Sequence, residues 1–397
     1  MAEWIEKSLG EIAEITKLAG FEFTKYIEYN NDGEVIALRA LNLRNGELDL
    51  TDIKRISRKV SDGLTRSKIY KDDILLTYTG NGYGDCAIIE ENDKYHLAPN
   101  ICKIVPNKNV ISPYYLYCYI RSKAFYNQMS NNMTGSGQPT IPMKTIRLLK
   151  IPVPELRVQV NIANMLWLLN QKIRNNKVIN NNLEQQAQAI FSNEFLTLKT
   201  LPDGWQQASL IDIADYLNGL AMQKYRPTVD ETGIPVLKIK ELRQGCCDDN
   251  SELCSQNIKS EYIIHNGDVI FSWSGSLLVD FWCGGICGLN QHLFKVTSNK
   301  YDKWFYYAWT KHHLDRFIAV AADKATTMGH IKRDELSKAE VLIPNEADYK
   351  RIGALLQPIY DLIIVNRIEN KKLAETRDTL LPKLMSGEID ISEVACE

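Results

Sequence analysis

The segment Thr77-Tyr78-Thr79-Gly80-Asn81-Gly82-Tyr83-Gly84 has the glycine spacing of a nucleotide-binding loop. Such a loop meets its phosphate at the N-terminus of a following helix, whose first amides lack internal acceptors. The residues that follow, Asp85-Cys86-Ala87-Ile88-Ile89, are β-rich instead, so a glycine-rich hairpin is the better reading. Cys246, Cys247, Cys254, Cys283 and Cys287, with His265 or His292, supply enough soft ligands for zinc. Their spacing lacks paired Cys-x2-Cys knuckles, so free thiols and no metal are expected. Glu241 beside Lys238 and Lys240 has no spacing that marks a nuclease, and reads as solvated charge. There is no Asn/Asp-Pro-Pro-aromatic tetrapeptide of the kind aminomethyltransferases use, and no glycine-rich loop ending in Lys-Ser/Thr to hold ATP phosphates. No catalytic residues are assigned.

What remains is the chemistry of recognition. Short polar side chains on turns reach base edges, and lysines and arginines take phosphates. Two loops in the first half qualify: Thr79, Gly80, Asn81 and Tyr83 in one, and Ser136, Gly137, Gln138 and Thr140 in the other, with Lys144 just beyond. The second half offers Ser274, Gly275 and Ser276, then Lys324, Thr326, Thr327, His330 and Lys332, with Gln291 and His292 between. Gln138 suits a bidentate pair with adenine, and Lys324 or Lys332 a phosphate or a guanine edge. The plainer alternative is that these loops only turn the chain. Lys54, Arg55, Arg58, Lys59, Arg66, Lys68 and Lys71 crowd together, diluted by Asp62, Asp72 and Asp73, and read equally well as a solvated face.

The elements that must position these loops occur twice. Trp4, Ser8, Leu9, Ile12 and Ala13 recur 201 residues later as Trp205, Ser209, Leu210, Ile213 and Ala214. Leu38, Leu43 and Gly46 recur at a shift of 199 as Leu237, Leu242 and Gly245, and Asp73 and Lys103 at shifts of 195 and 192 as Asp268 and Lys295. From Ile141/Ile331 onward the shift settles at 190. Small loop insertions produce such a drift, so the chain is two diverged copies of one unit. Each copy opens as a mixed α/β globule. Short β-rich runs (Val35 to Leu38, Ile74 to Thr77, Ile101 to Val105; Val236 to Ile239, Val269 to Trp273, Leu293 to Thr297) precede one aromatic helical stretch, Tyr114 to Met129 or Lys303 to Val320.

Each copy closes in a long helix. Ile162, Leu166, Leu169, Ile173, Asn176, Asn180, Leu183, Ala187 and Ile190 keep a 4,3,4,3 spacing. The same positions plus 190 are Ile352, Leu356, Ile359, Ile363, Asn366, Asn370, Leu373, Arg377 and Leu380. This is a coiled-coil seam interrupted by register-setting asparagines, and the simplest partner for each helix is the other, antiparallel. Pro358 is expected to kink or start the second helix, and Arg377, in place of Ala187, to leave the far end frayed or partner-bound. A span from Ile162 to Ile190 is on the order of 43 Å at about 1.5 Å per residue. That corresponds to roughly 12 to 13 base pairs, or a gap of roughly 6 to 9 between two domains that each cover a few.

This layout resembles the specificity subunit of type I restriction–modification systems across essentially the whole chain. The sharpest local signal is Leu380-Leu381-Pro382-Lys383-Leu384-Met385-Ser386-Gly387-Glu388-Ile389, a helix stopped by Pro382. The repeated Trp openings, Asp268-Val269-Ile270-Phe271 and Leu289-Asn290-Gln291-His292-Leu293 add to it. One departure is that no extra segment precedes the first copy. The resemblance implies an α+β chain: two mixed α/β target-recognition globules separated by two long antiparallel coiled-coil helices, with an internal pseudo-two-fold repeat. The expected domains are 1–154 and 199–344 for the globules, and 155–198 and 345–397 for the helical regions. It implies a non-catalytic reader of a bipartite sequence in double-stranded DNA, partnered by two modification (methyltransferase) subunits and by restriction subunits. S-adenosylmethionine, ATP and magnesium (Mg) are then expected on the partners and no cofactor on this chain. The rival reading is a coiled-coil scaffold with ligand- or protein-binding globules and no sequence readout.

Composition agrees. Of 397 residues 45% are hydrophobic and 24% charged, with 22 Gly and 13 Pro, as in globular proteins of more than one core. The net charge of −2 neither demands nor excludes a polyanionic partner, and suggests that this chain alone grips DNA modestly. The charged opening Met1 to Lys7 does not fit a secretion signal, and no apolar run approaches the ~18 residues of a membrane span. A cytoplasmic protein with nine thiols is expected.

Overall fold

The computed structural model describes residues 4–80, 82–135, 139–323, 331 and 333–391. The chain forms two compact units, one from the residues up to Gln171 with those from Ala374 onward, the other Lys172–Leu373. Compactness thus groups each globule with segments of both long helices. None of the described helices is long and apolar enough to cross a membrane.

In the first unit one sheet has the order Ala13–Lys17, Ile101–Pro106, Ile74–Thr77, Cys86–Ile88, all antiparallel. A second has the order Lys54–Ile56, Val35–Leu38, Tyr95–Leu97, Lys68–Ile69, its central pair parallel. Ile5–Ser8 pairs with Lys150–Val153 and closes the globule where the first long helix begins. The second unit repeats this order with Asp215–Asn218, Leu293–Thr297, Val269–Ser272, Leu278–Phe281, and with Leu253–Cys254, Ile234–Leu237, Cys287–Leu289, Ile263–Ile264. Its closing pair is Gln206–Ser209 with Glu340–Ile343. Val35–Leu38, Ile74–Thr77 and Val269–Ser272 are buried at every position, as strands covered on both faces must be, and are apolar throughout except for Thr77 and Ser272.

The repeated sequence positions acquire physical reasons. Ser8 and Ser209 begin short helical turns, and the carboxylates of Glu11 and Asp212 reach back to accept from the Ser8 and Ser209 amides at 2.6 and 2.8 Å. Leu9, Ile12, Leu210 and Ile213 drop from those turns into the cores. Gly46 and Gly245 both hold φ near +80° (84 and 76), the left-handed region that a β-carbon disfavours.

The aromatic stretches are each two helices, not one. Pro113–Ile120 and Lys123–Ser130 are separated because Ser122 caps the second, accepting from the Phe125 amide at 3.2 Å, and Lys303–His312 is followed by Leu314–Asp323. The long helices are Leu156–Phe191 and Glu346–Met385. Pro358 therefore neither starts nor breaks the second, and Pro382 lies inside its last turn. A proline in a helix interior costs about 3 kcal/mol, but around Pro358 burial of Leu356, Tyr360 and Ile363 in the second core outweighs the missing bond. Arg377 is not frayed: it is helical, and its guanidinium donates to Asn170 Oδ1 at 3.0 Å.

Candidate nucleic-acid interface

In the first unit the two candidate loops meet. The hairpin between Ile74–Thr77 and Cys86–Ile88 is closed by Gly84 N donating to the Thr77 carbonyl at 2.9 Å. From the other loop, Thr140 pairs with Thr79 as an isolated bridge, and its hydroxyl donates to Thr79 Oγ1 at 3.3 Å. Gly80 N donates to the Pro139 carbonyl, and Ile141 N to that of Tyr78 at 3.0 Å. Thr79, Gly80, Tyr83 and Thr140 thus share one half-exposed surface, while Lys144 stands exposed on the short helix Met143–Leu148. Asn81, Ser136, Gly137 and Gln138 lie outside the described residues.

The second unit repeats the anchor. Ile331 N donates to the Trp273 carbonyl at 3.1 Å, the counterpart of the Ile141–Tyr78 bond. Here the hairpin is shorter, and Ser272 Oγ donates to the Ser276 carbonyl at 2.8 Å. Ser274 is only 5% exposed, which corrects its reading as a reaching side chain, since the turn is folded inward over Ser272; Gly275 and Ser276 keep their exposure. Gln291 and His292 are half-buried, linked through Gln291 Nε2 and His292 Nε2 at 3.3 Å, and His292 packs near Trp273. Lys324, Thr326, Thr327, His330 and Lys332 lie outside the described residues.

The sequence reading missed two aromatic residues at these surfaces. Tyr126 stacks on Tyr83 at 5.3 Å between ring centroids, their hydroxyls 2.6 Å apart. Trp273 donates from Nε1 to Asn218 Oδ1 at 3.0 Å. Trp273 ends a β-rich run and carried a usable signal, but nothing local marks Tyr126, which lies on a helix and comes 43 residues after Tyr83.

Beneath each hairpin lies a repeated ion pair. Asp73 accepts from the Tyr70 amide and Asp268 from that of His265, at 2.8 and 2.9 Å. Lys103 donates to the Lys68 carbonyl and lies 3.9 Å from Asp73, whereas Lys295 donates to the Ile263 carbonyl and lies 2.9 Å from Asp268. Burial raises the Asp73 carboxyl and lowers the Lys103 ammonium, so desolvation outweighs their mutual attraction. These repeated charges are satisfied by each other and by backbone groups of their own globule.

Other charges resolve into local roles. Lys68 pairs with Asp62 at 2.6 Å and Arg66 with Glu22 at 3.4 Å, so the basic run of the first copy is partly neutralised, while the Arg58 guanidinium donates to the Asp93 carbonyl and its backbone amide to the Glu34 carboxylate. Glu241 is not a solvated charge: it is buried, accepting from the Lys238 amide and the Ser251 hydroxyl. The described cysteines are free thiols, and among the described residues no three of His, Cys, Asp and Glu gather as metal ligands.

The helical seam has its own polar centre. Among the first helix's seam positions Ile162, Leu166, Ile173, Asn176 and Asn180 are buried and Leu169 and Leu183 half-buried; in the second, Ile352, Leu356, Ile363 and Asn366 are buried and Ile359, Asn370 and Leu373 half-buried. Asn176 Nδ2 donates to Asn370 Oδ1 and Asn366 Nδ2 to Asn180 Oδ1, both at 2.9 Å. Asn180 Nδ2 donates to the Ile363 carbonyl and Asn370 Nδ2 to that of Ile173, at 3.3 and 3.4 Å. Exchanging each residue for the one 190 away reproduces the set, a local pseudo-two-fold with the strands antiparallel. In the first unit a cavity of about 710 Å³ lies beside the first helix, lined by Tyr114, Leu156, Val160, Trp167 and the charged Lys71 and Lys108, among others. Trp167 is 44% exposed and Leu168 59%.

Comparison with known proteins fits this duplicated geometry. Residues 1–185 and again 202–375 match the family described as type I restriction modification DNA specificity domain. The chain is 26% identical to the type I restriction enzyme MjaIX specificity subunit of Methanocaldococcus jannaschii, over 73% of this chain and 72% of that one. It is 20% identical to the HindI specificity subunit of Haemophilus influenzae, over 98% and 100%, and 23% identical to the EcoKI specificity subunit of Escherichia coli, over 97% and 89%. The crystal structure of a type I restriction-modification S subunit from M. genitalium shares the fold, with a TM-score of 0.61 over 96% of both chains at 14% identity. With the family match covering both repeats, this chain belongs to the type I restriction–modification DNA specificity family.

Proposed function

We propose that each globule reads one half of a bipartite double-stranded DNA sequence through its hairpin and the adjoining loop, and that the long helices set the gap between the halves. The observation that carries this reading is the pairing of one anchor bond, Ile141 to Tyr78 and Ile331 to Trp273, with hairpin tips that differ in length and residue type. A preserved frame with divergent tips is what two readers of different half-sites require. The chain performs no chemistry. Two modification subunits dock on the helical region and flip each half-site adenine into their own S-adenosylmethionine pocket, and restriction subunits with ATP and magnesium join them. The exposed apolar residues Leu156, Val160, Trp167 and Leu168 support docking on the first helix.

The test is modification-sensitive sequencing of host DNA with the gene intact and deleted. Expected is loss of methylated adenines at one split motif with a fixed gap of roughly 6 to 9 base pairs. An unchanged methylome in a strain expressing the modification subunits overturns the reading. Insertion into Asn175 to Asn182 should change the gap and leave both half-sites unaltered.

A further inference from the structure

Arg39, Arg66, Arg316, Arg351, Arg367 and Arg377 each pair with a carboxylate. Arg147 and Arg333 pair with none among the described residues and hold backbone instead. Arg147, on the short helix Met143–Leu148, donates from Nη2 to the Ile15 carbonyl at 2.8 Å. Arg333, on the short helix Arg333–Ser337, donates from Nη2 to the Tyr216 carbonyl at 2.9 Å. Ile15 and Tyr216 are 201 residues apart and hold the same place in the repeat, on Ala13–Lys17 and Asp215–Asn218, each the edge strand of its sheet. The arginines themselves do not correspond: at the shift of 190, Arg147 aligns with Ser337 and Arg333 with Met143. Packing gives the reason. A β-carbon at Gly10 would sit 3.1 Å from Arg147 Cβ, and the second copy holds Ile211 and the small Ser337 at those two places. Its arginine comes four residues earlier, on the same helix face. Both copies thus bring a guanidinium to one equivalent carbonyl by different routes.

The place is next to the reading loops. Each short helix follows directly on the anchor bond, Ile141 to Tyr78 or Ile331 to Trp273. Each edge strand reaches the same aromatic residue: Lys17 Nζ lies 5.3 Å from the centre of the Tyr78 ring, and Asn218 Oδ1 accepts from Trp273 Nε1 at 3.0 Å. We infer that Arg147 and Arg333 grip backbone phosphates of the DNA, one beside each half-site, as fixed points from which the hairpin tips reach the bases. The inference rests on the globules reading DNA. Capping an edge carbonyl uses one N–H donor, and a guanidinium has several more. Both side chains are exposed, so those donors face solvent, in a plane that the carbonyl bond fixes. A planar fork matches two phosphate oxygens. Phosphate is the same in every sequence, so this grip can persist while the hairpin tips diverge.

The test is a binding titration across salt concentration, using the full chain assembled with its host's modification subunits. Two duplexes are compared, one carrying the split motif found by sequencing and one with both halves scrambled. Arg147→Gln and Arg333→Gln should each flatten the slope of log affinity against log salt by about 0.9, and the double variant by about twice that. The loss should be equal on both duplexes, with the methylated motif unchanged. Arg147→Lys keeps the charge and should keep the slope. Arg333→Gln, in the other compact unit, carries the same test if Arg147→Gln does not fold. Thermal unfolding reads the lost carbonyl cap separately. A lowered midpoint with an unchanged slope makes the arginines edge-strand caps alone and overturns the inference, as does a loss confined to the motif duplex. The slope is also read on scrambled DNA, so the inference fails on an unchanged slope whatever the methylome shows. Bipartite reading fails on an unchanged methylome whatever the slope.

Discussion

The two units solve the same packing problem with volume in different places. In the second, Trp304 is 1% exposed and lies against Gly353, where a β-carbon would sit 3.0 Å from Trp304 Nε1. The positions 190 earlier hold Tyr114 and Ala163, a smaller ring against a larger helix residue. Around Trp304 the core is aromatic, with Phe305, Tyr307, Trp309, Phe271 and Phe281 buried together, whereas the first core relies on Ile, Leu and Tyr. Tyr114 and Ala163 instead line the cavity beside the first helix. Backbone frame and ion pairs persist while side-chain volume drifts, so a recognition surface can diverge on such a frame at little cost to folding.

That difference sets the largest expected effect. Trp304→Ala should cost about 4 kcal/mol, as large buried aromatics do, and Tyr114→Ala only about 1 to 2, because Tyr114 is half-exposed. Denaturant titration of both variants checks this, and equal costs would show that the cavity side of the first unit is as tightly held as the second core.

The ion pairs come next. Lys295 and Asp268 are closer, yet their side chains are 15% and 24% exposed, against 8% and 5% for Lys103 and Asp73. The shorter distance changes the Coulomb energy by a modest ratio, whereas exposure changes the effective dielectric by more. Asp73→Ala strands a buried ammonium and should cost about 3 kcal/mol, and Asp268→Ala about half as much. A larger loss in Asp268→Ala would reverse the ranking of burial over distance.

A third contrast is acid sensitivity. His313 is held to about 4 by burial, with His312 and Arg316 adding positive charge nearby; its ring bonds the Glu340 carbonyl at 2.8 Å. The first copy has the exposed Lys123 at the matching position. Because the folded value lies below the unfolded one near 6.5, the unfolded chain takes the proton first. Stability present above pH 6.5 is then lost as pH falls toward 4, by roughly 2 kcal/mol after allowing for partial solvent access. His313→Gln should flatten that slope in urea titrations between pH 7 and 4, and an unchanged slope would remove His313 from the account.

Much of this architecture is readable from spacing. Val35–Leu38, Ile74–Thr77 and Leu293–Thr297 are strands at the residues their β-rich runs mark, and the drift from 201 to 190 reappears in the closing strands, where Ile5 and Gln206 pair with Val153 and Ile343. What spacing hides is where nonlocal contact decides. Pro358 survives only because its neighbours are buried in the second core, and Glu241 is buried with the Ser251 hydroxyl, ten residues on, as its partner. At the candidate interface the loops were legible as turns, but the aim of Ser274 and the stacking of Tyr126 on Tyr83 depend on a tertiary neighbour no periodicity reports.

The smallest expected effect separates the two asparagine pairs that the pseudo-two-fold relates. Removing a buried donor costs mainly what its abandoned acceptor then lacks. Asn366→Ala abandons Asn180 Oδ1, on a residue 5% exposed, whereas Asn176→Ala abandons Asn370 Oδ1, on a half-buried residue that water can reach, and Glu369, which still has Lys172 at 3.2 Å. The first should cost about 1 to 2 kcal/mol and the second about half that, even though Asn176 is itself the more buried. Replacing Asn180 and Asn366 together with leucine leaves no side-chain acceptor abandoned and takes from the helical Ile363 carbonyl only its extra donor, so the double variant should be more stable than Asn366→Ala while losing the register those bonds impose. A double-mutant cycle followed by thermal unfolding measures the coupling. Costs that tracked the burial of the removed residue, rather than of the one left behind, would overturn this account of the seam.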